Sequence, residues 1–121
     1  MKHWIILGAS LAALAVMLGA FGTHALKSKV SPSDLAIFET GVRYHMYHAL
    51  GLILMGILGF YYNAEVIQLP ATLLFGGILI FSGSLYILVL TGFRWMGAIT
   101  PIGGDAFITG WILLVLRLAR A

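Results

Sequence analysis

Apolar residues fill this chain in long runs, broken at three places by clusters of polar and turn-forming residues. The first run extends from Trp4 to about Ala25, a length that suits a membrane span better than the roughly 7 to 15 residue core of a cleaved signal. Lys27 to Asp34 then turns polar, and Ser31, Pro32 and Asp34 read as an N-cap, a first-turn proline and an acid near the positive end of a helix dipole. The helix they open is drawn from Pro32 to about Tyr62, longer than a span alone. Its opening stretch, Asp34 to Gly41, is therefore expected at the membrane interface, with Leu35, Ile37 and Phe38 facing lipid or protein. Asn63 to Leu69, with Glu65 and Gln68, forms the next polar connection, and Pro70 is placed to open a third helix through about Thr91. Gly92 to Gly97 makes the third turn. The fourth helix begins with Thr100 as cap and Pro101 in its first turn, and ends near Leu116 before Arg117 and Arg120. The pattern predicts an all-α, four-helix transmembrane bundle whose second helix carries an interfacial N-terminal stretch. It forms a single integral membrane domain over residues 1–121, with helices at about 4–25, 32–62, 70–91 and 101–116.

Composition supports the same class. With 61% hydrophobic residues, 9% charged ones and a mean hydropathy of +1.04, too little polar surface remains to cover a soluble globule. The net charge of +3 is spread over seven basic residues without a basic run, which fits membrane lipid headgroups as partners and argues against nucleic acid. The absence of cysteine excludes disulfides, thiolate metal sites and cysteine nucleophiles. Lysine and arginine do not decide the orientation, because Lys2, Arg117 and Arg120 on one side face Lys27, Lys29 and Arg94 on the other, with Arg43 near them.

Within the first helix Gly8, Ala12, Ala15, Gly19 and Gly22 recur at alternating spacings of four and three. Such a stripe of small residues permits close helix approach, so helix 1 is expected to be the packing centre of the bundle.

The costly residues are concentrated in FETGVRYHMYHAL, Phe38 to Leu50, where a glutamate, an arginine and two histidines stand at the mouth of an apolar segment. An ionisable side chain near the middle of a bilayer costs roughly 2.5–3.5 kcal/mol on insertion scales, so these groups need a reason. Threading four helices back and forth puts the end of helix 1, the start of helix 2, the end of helix 3 and the start of helix 4 on one side. That side collects His24, Glu39, Arg43, His45, Arg94, Thr100 and Asp105, with His48, Ser82, Ser84 and Tyr86 deeper. Glu39 and Arg43, four apart with the acid first, are spaced for an ion pair on one helix face, read either as a clamp or as an anion and proton site. His45 and His48 lie three apart, about 60° around a helix, and could share an ion or a proton relay. A metal would need further ligands from His24, Glu39 or Asp105, and no HExxH or ExxH signature is present, so no metal site is assigned. FSGSLY, Phe81 to Tyr86, places hydroxyls mid-helix as cross-helix hydrogen-bonding groups, and without a GxSxG motif it gives no catalytic serine. TPIGGDAFITGW, Thr100 to Trp111, puts Asp105 near a helix start, either as a cap or paired with Arg43, Arg94 or a histidine. Trp4, Trp95 and Trp111 read as interface or packing aromatics.

Four strings, GAFGTHAL at Gly19 to Leu26, FETGVRYHMYHAL, FSGSLY, and TPIGG with the following GW at Gly110 and Trp111, together resemble one family. It is the family of small membrane proteins typed as domain of unknown function 423, which includes transmembrane protein 256, and the resemblance runs in order over almost the whole chain. It implies four transmembrane helices in a multi-pass protein of the bacterial plasma membrane, and it brings no reaction, substrate or cofactor. Three functional readings follow. The favoured one is a non-enzymatic structural or accessory component, able to form homo-oligomers. The alternatives are a small oligomeric transporter or channel for an ion, proton or anionic metabolite, and a lipid-acting or metal-dependent enzyme.

Overall fold

The computed structural model describes residues 1–121 and contains four helices and no strand. We number them α1, Lys2–Leu26; α2, Pro32–Leu58; α3, Ala64–Thr91; and α4, Thr100–Arg120. The chain forms a four-helix transmembrane bundle. Helices α1 and α3, and α4 with the turn before it, are each long and apolar enough to cross a membrane by themselves. Helix α2 falls short of that because it carries Arg43, His45 and His48. At 27 residues it is about 40 Å long, which leaves its N-terminal stretch projecting beyond a hydrocarbon core of roughly 30 Å.

The start of α2 is the one the local sequence dictates. Ser31 accepts a hydrogen bond from the Asp34 amide at 3.1 Å, and Pro32 occupies the first turn, where its missing N–H costs nothing. The other boundaries move. Helix α2 ends at Leu58 rather than Tyr62, and Phe60 to Tyr62 form a turn. Helix α3 begins at Ala64, so Pro70 lies inside it, fully buried, instead of opening it. The proline removes only the bond that the Val66 carbonyl would have received. Thr100 does not cap α4 with its side chain, and α4 runs on to Arg120. Between α3 and α4, Gly92 ends α3 with φ of +79°, a left-handed conformation suited to glycine, and Arg94–Ala98 form a short 3-10 turn.

The centre of packing is α2 and not α1. Helix α2 lies along α1 on one side and α3 on the other, while α4 lies along α3 and meets α2 through Phe107 and Trp111. The small residues of α1 lie toward α2. A methyl group on Gly8 would come within 2.7 Å of the Ala49 carbonyl, Gly19 faces Val42, Gly22 faces Phe38, Ala15 is 1% exposed and Ala12 is half-buried. That stripe serves one neighbour only, and most of the rest of α1 faces outward. Helix α2 instead carries buried Gly41, Gly51 and Gly56, which touch Tyr86 of α3, Leu74 and Trp111 of α3 and α4, and Ile5 of α1 respectively. The main core joins Trp4, Leu52, Met55, Ile67, Leu74, Phe107 and Leu114 from all four helices. A smaller core of Phe38, Leu88, Val89 and Met96 lies toward the Asp34 end.

Helices α1 and α3 each contain one wider, π-type turn, at Leu18–Gly22 and Ile78–Ser82. The first covers the GAFG of GAFGTHAL and the second ends on the Phe81 and Ser82 of FSGSLY. Such turns shift the phase of the helix that follows and leave backbone carbonyls free for side-chain donors.

Candidate functional site

The polar interior lies mainly where α2 meets α3. Gly41, lacking a side chain, lets α3 approach, and the Ser82 hydroxyl donates to the Gly41 carbonyl at 2.6 Å. One turn further along α2, His45 is 2% exposed and its Nδ1 lies 2.9 Å from the Tyr86 hydroxyl. Its Nε2 is buried without a hydrogen-bond partner. Toward α4, Ser84 donates to the Phe81 carbonyl at 2.8 Å and shares a 2.5 Å hydrogen bond with the Thr100 hydroxyl. Ser82, Tyr86 and Ser84 thus fasten α3 to α2 on one side and to α4 on the other.

His48 sits in a different setting. Its Nδ1 lies 2.7 Å from the Tyr44 carbonyl, and since a carbonyl only accepts, the neutral ring carries its proton on Nδ1 and presents a lone pair at Nε2. The ring stacks on Phe107 with centroids 3.5 Å apart and planes 7° apart, in an aromatic slot completed by Tyr44, Phe81 and Trp111. The two histidines have separate partners at Nδ1, the Tyr86 hydroxyl for His45 and the Tyr44 carbonyl for His48, and no group of three or more histidines and carboxylates gathers around them.

Both ends of the bundle carry polar fastenings. At one end Arg94 makes a two-pronged pair with Asp34, each guanidinium nitrogen donating to a different carboxylate oxygen at 2.8 Å. It is the one salt bridge in the molecule, and Arg94 is 61% exposed. The hydrogen bonds from Arg94, with its positive charge, hold the Asp34 carboxyl below the usual carboxylate range. At the other end the Trp4 indole N–H donates to the Gln68 side chain at 2.6 Å and Arg117 donates to the Glu65 carbonyl at 2.6 Å. An open groove lies there, lined by Glu65, Gln68, Leu69, Arg117 and Arg120 among others.

The residues singled out in the sequence therefore divide. His45, Ser82 and Tyr86 come together, as do Ser84 and Thr100. Glu39 and Arg43 do not form the expected ion pair: Arg43 is exposed, Glu39 is half-exposed, and their common face points away from the bundle. Asp105 neither caps α4 nor pairs with Arg43, Arg94 or a histidine; it is exposed in the second turn of α4. His24 is exposed in the last turn of α1 without a hydrogen bond. The carboxylate partner of Arg94 is Asp34, which the sequence marks only as a first-turn acid. Trp4 with Gln68, and the aromatic slot around His48, also went unmarked, since their members lie far apart in sequence and on different helices.

The model of a family described as protein of unknown function (DUF423) matches residues 18–104. The chain belongs to that family. It is 50% identical over 121 residues to the UPF0382 membrane protein YwdK of Bacillus subtilis, covering 99% of this chain and 98% of that protein. It is 52% identical to the UPF0382 membrane protein SSP2132 of Staphylococcus saprophyticus and 48% identical to SH2409 of Staphylococcus haemolyticus, each over 116 residues, covering 96% of this chain and 96% and 94% of those proteins. No solved structure matches the chain significantly. The family match ends one residue before Asp105. It takes in both π-type turns, the polar interior of α2 and α3, and the Asp34–Arg94 pair.

Proposed function

We propose that the chain is a non-enzymatic structural or accessory component, a multi-pass protein of a bacterial plasma membrane whose polar interior is scaffold. The observation that supports this is how the buried polar side chains are used. Ser82 bonds the Gly41 carbonyl, Tyr86 bonds His45, Ser84 bonds Thr100 and Trp4 bonds Gln68, each across a helix boundary. Groups engaged in this way hold helices in register, as interhelical hydrogen bonds do in lipid. Replacing Tyr86 by Phe removes the partner of His45, and the expected result is a loss of about 1 kcal/mol of stability, read as a lower melting temperature of the purified chain in detergent.

One observation favours a second reading, a small proton or ion carrier. His45 Nε2 is buried and unpartnered, next to a hydroxyl that can pass a proton. The two readings separate in proteoliposomes. On the scaffold reading, vesicles holding the chain lose an imposed proton gradient no faster than empty ones; a leak that disappears with His45→Gln would establish the carrier instead.

A further inference from the structure

The outward faces of α2 and α4 carry the residues that the bundle leaves unexplained. On α2 the exposed stripe is Arg43, Tyr47, Leu50 and Leu54; on α4 it is Asp105, Thr109, Ile112 and Leu116. Both stripes advance by four, three and four residues, the spacing of two helices that pack along one another. Arg43 and Asp105 open the two stripes with opposite charges, and neither has an ionic partner within the chain. Thr109 also differs from Ser10, Thr40, Thr72 and Thr91: each of those donates to the carbonyl four residues before it, and Thr109 does not.

The depths agree. His48 stacks on Phe107 and Gly51 lies against Trp111, so α2 and α4 run down the bundle in step and in the same direction. Arg43 and Asp105 therefore lie within about one helical turn of each other in depth, inside the reach of an arginine side chain. An unpaired acid on a lipid-facing helix surface is costly, and an opposite charge at the same depth removes that cost.

We propose that a second copy of this chain packs its α2 stripe against the α4 stripe of the first, with Arg43 of one copy paired to Asp105 of the other. This rests on the reading of the chain as a structural membrane component and names its partner. The contact joins two different faces, so each copy keeps its other face for a further copy, and the assembly closes as a symmetric ring or pair when the rotation between copies brings the last free faces together.

The chain has no cysteine, so disulfide trapping starts from a clean background. Tyr47→Cys in one full-length chain and Thr109→Cys in a second, distinguishable by size and co-expressed in one membrane, are expected to form a mixed disulfide on mild oxidation. Arg43→Asp or Asp105→Arg alone should reduce that product on the order of tenfold, and the two reversals combined should restore it. Arg43→Gln and Asp105→Asn, which add no repulsion, should each give an intermediate loss in chains that still insert. Absence of the mixed disulfide when both chains are present in the membrane would overturn the proposal, as would a yield indifferent to the charge reversals. Either result leaves the proton-gradient test untouched, so failure of this interface and failure of the scaffold reading are told apart.

Discussion

Gly8 and Gly83 are the same residue under opposite constraints. A methyl group on Gly8 would press within 2.7 Å of the Ala49 carbonyl and 3.0 Å of the Ile53 amide nitrogen, on a neighbouring backbone that cannot swing aside, whereas at Gly83 it would meet nothing within 4 Å. Helix propensity alone favours alanine at both. Packing reverses the sign at the first: Gly8→Ala should destabilise the chain by about 1–3 kcal/mol as α1 is pushed from α2, and Gly83→Ala should stabilise it by roughly 0.5–1 kcal/mol. Thermal unfolding of the two variants in the same detergent tests both, and equal shifts would refute the close α1–α2 contact. The residue scale also shows why spacing misled at Glu39 and Arg43. Four residues apart means one helix face, but the phase of that face is set by Phe38, Gly41 and His45, which turn inward and leave Arg43 pointing out. His45 and His48 were legible as interior polar groups; their partners were not, because nothing in the local sequence ties a histidine to Tyr86 or Phe107.

At the scale of elements, the misplaced start of α3 has a physical cause. Glu65 and Gln68 resemble a loop because they are polar, yet at the membrane end a helix can keep polar residues if they find partners, and Gln68 meets Trp4 while the Glu65 carbonyl meets Arg117. The capped start of α2 was readable since Ser31, Pro32 and Asp34 act within one turn, whereas the pairing of Asp34 with Arg94, 60 residues away, needs the fold. That pair ties the 3-10 turn between α3 and α4 to the start of α2, and it makes stability depend on pH in a definite direction. The folded Asp34 carboxyl sits below its ordinary value, about 3.9 in an unfolded chain, so its contribution is complete above that value and is lost as the pH falls through the lower, folded one. Arg94 stays charged throughout. The melting temperature of the native chain should therefore exceed that of Arg94→Gln at neutral pH, and the gap should close as the solution is acidified below about pH 4. Other carboxylates titrate in both proteins, so the difference isolates the pair; a gap constant with pH would sink this account.

The whole molecule is organised around α2, the helix least able to cross a membrane unaided. It can bury His45 and His48 because it is the one helix flanked by both α1 and α3 and touched by α4, so these histidines exchange lipid for protein partners. Class, helix number and the inward serines were legible from hydropathy and spacing; which helix would be central was not, because glycines permit close approach in α1 and α2 alike and only the assembled bundle chooses between them. Orientation is the property left nearly balanced. The side holding Met1 and Ala121 carries Lys2, Arg117 and Arg120, and the other carries Lys27, Lys29 and Arg94, with Arg43 a few turns inward on α2. Pairing with Asp34 does not remove Arg94 from this count, because orientation follows lysine and arginine near the span ends rather than net charge. A balance this even should tip with two charges. Tyr62→Lys with Asn63→Lys, both in the exposed turn between α2 and α3, should move the population toward termini in the cytoplasm, and Lys27→Gln with Lys29→Gln should move it the same way. Lys2→Gln with Arg120→Gln should move it in reverse. A pair of reporters fused after Ala121, one active only inside the cell and one only outside, reads the ratio directly; a ratio indifferent to all three changes would show that the assembled bundle, rather than its flanking charge, sets the direction of insertion.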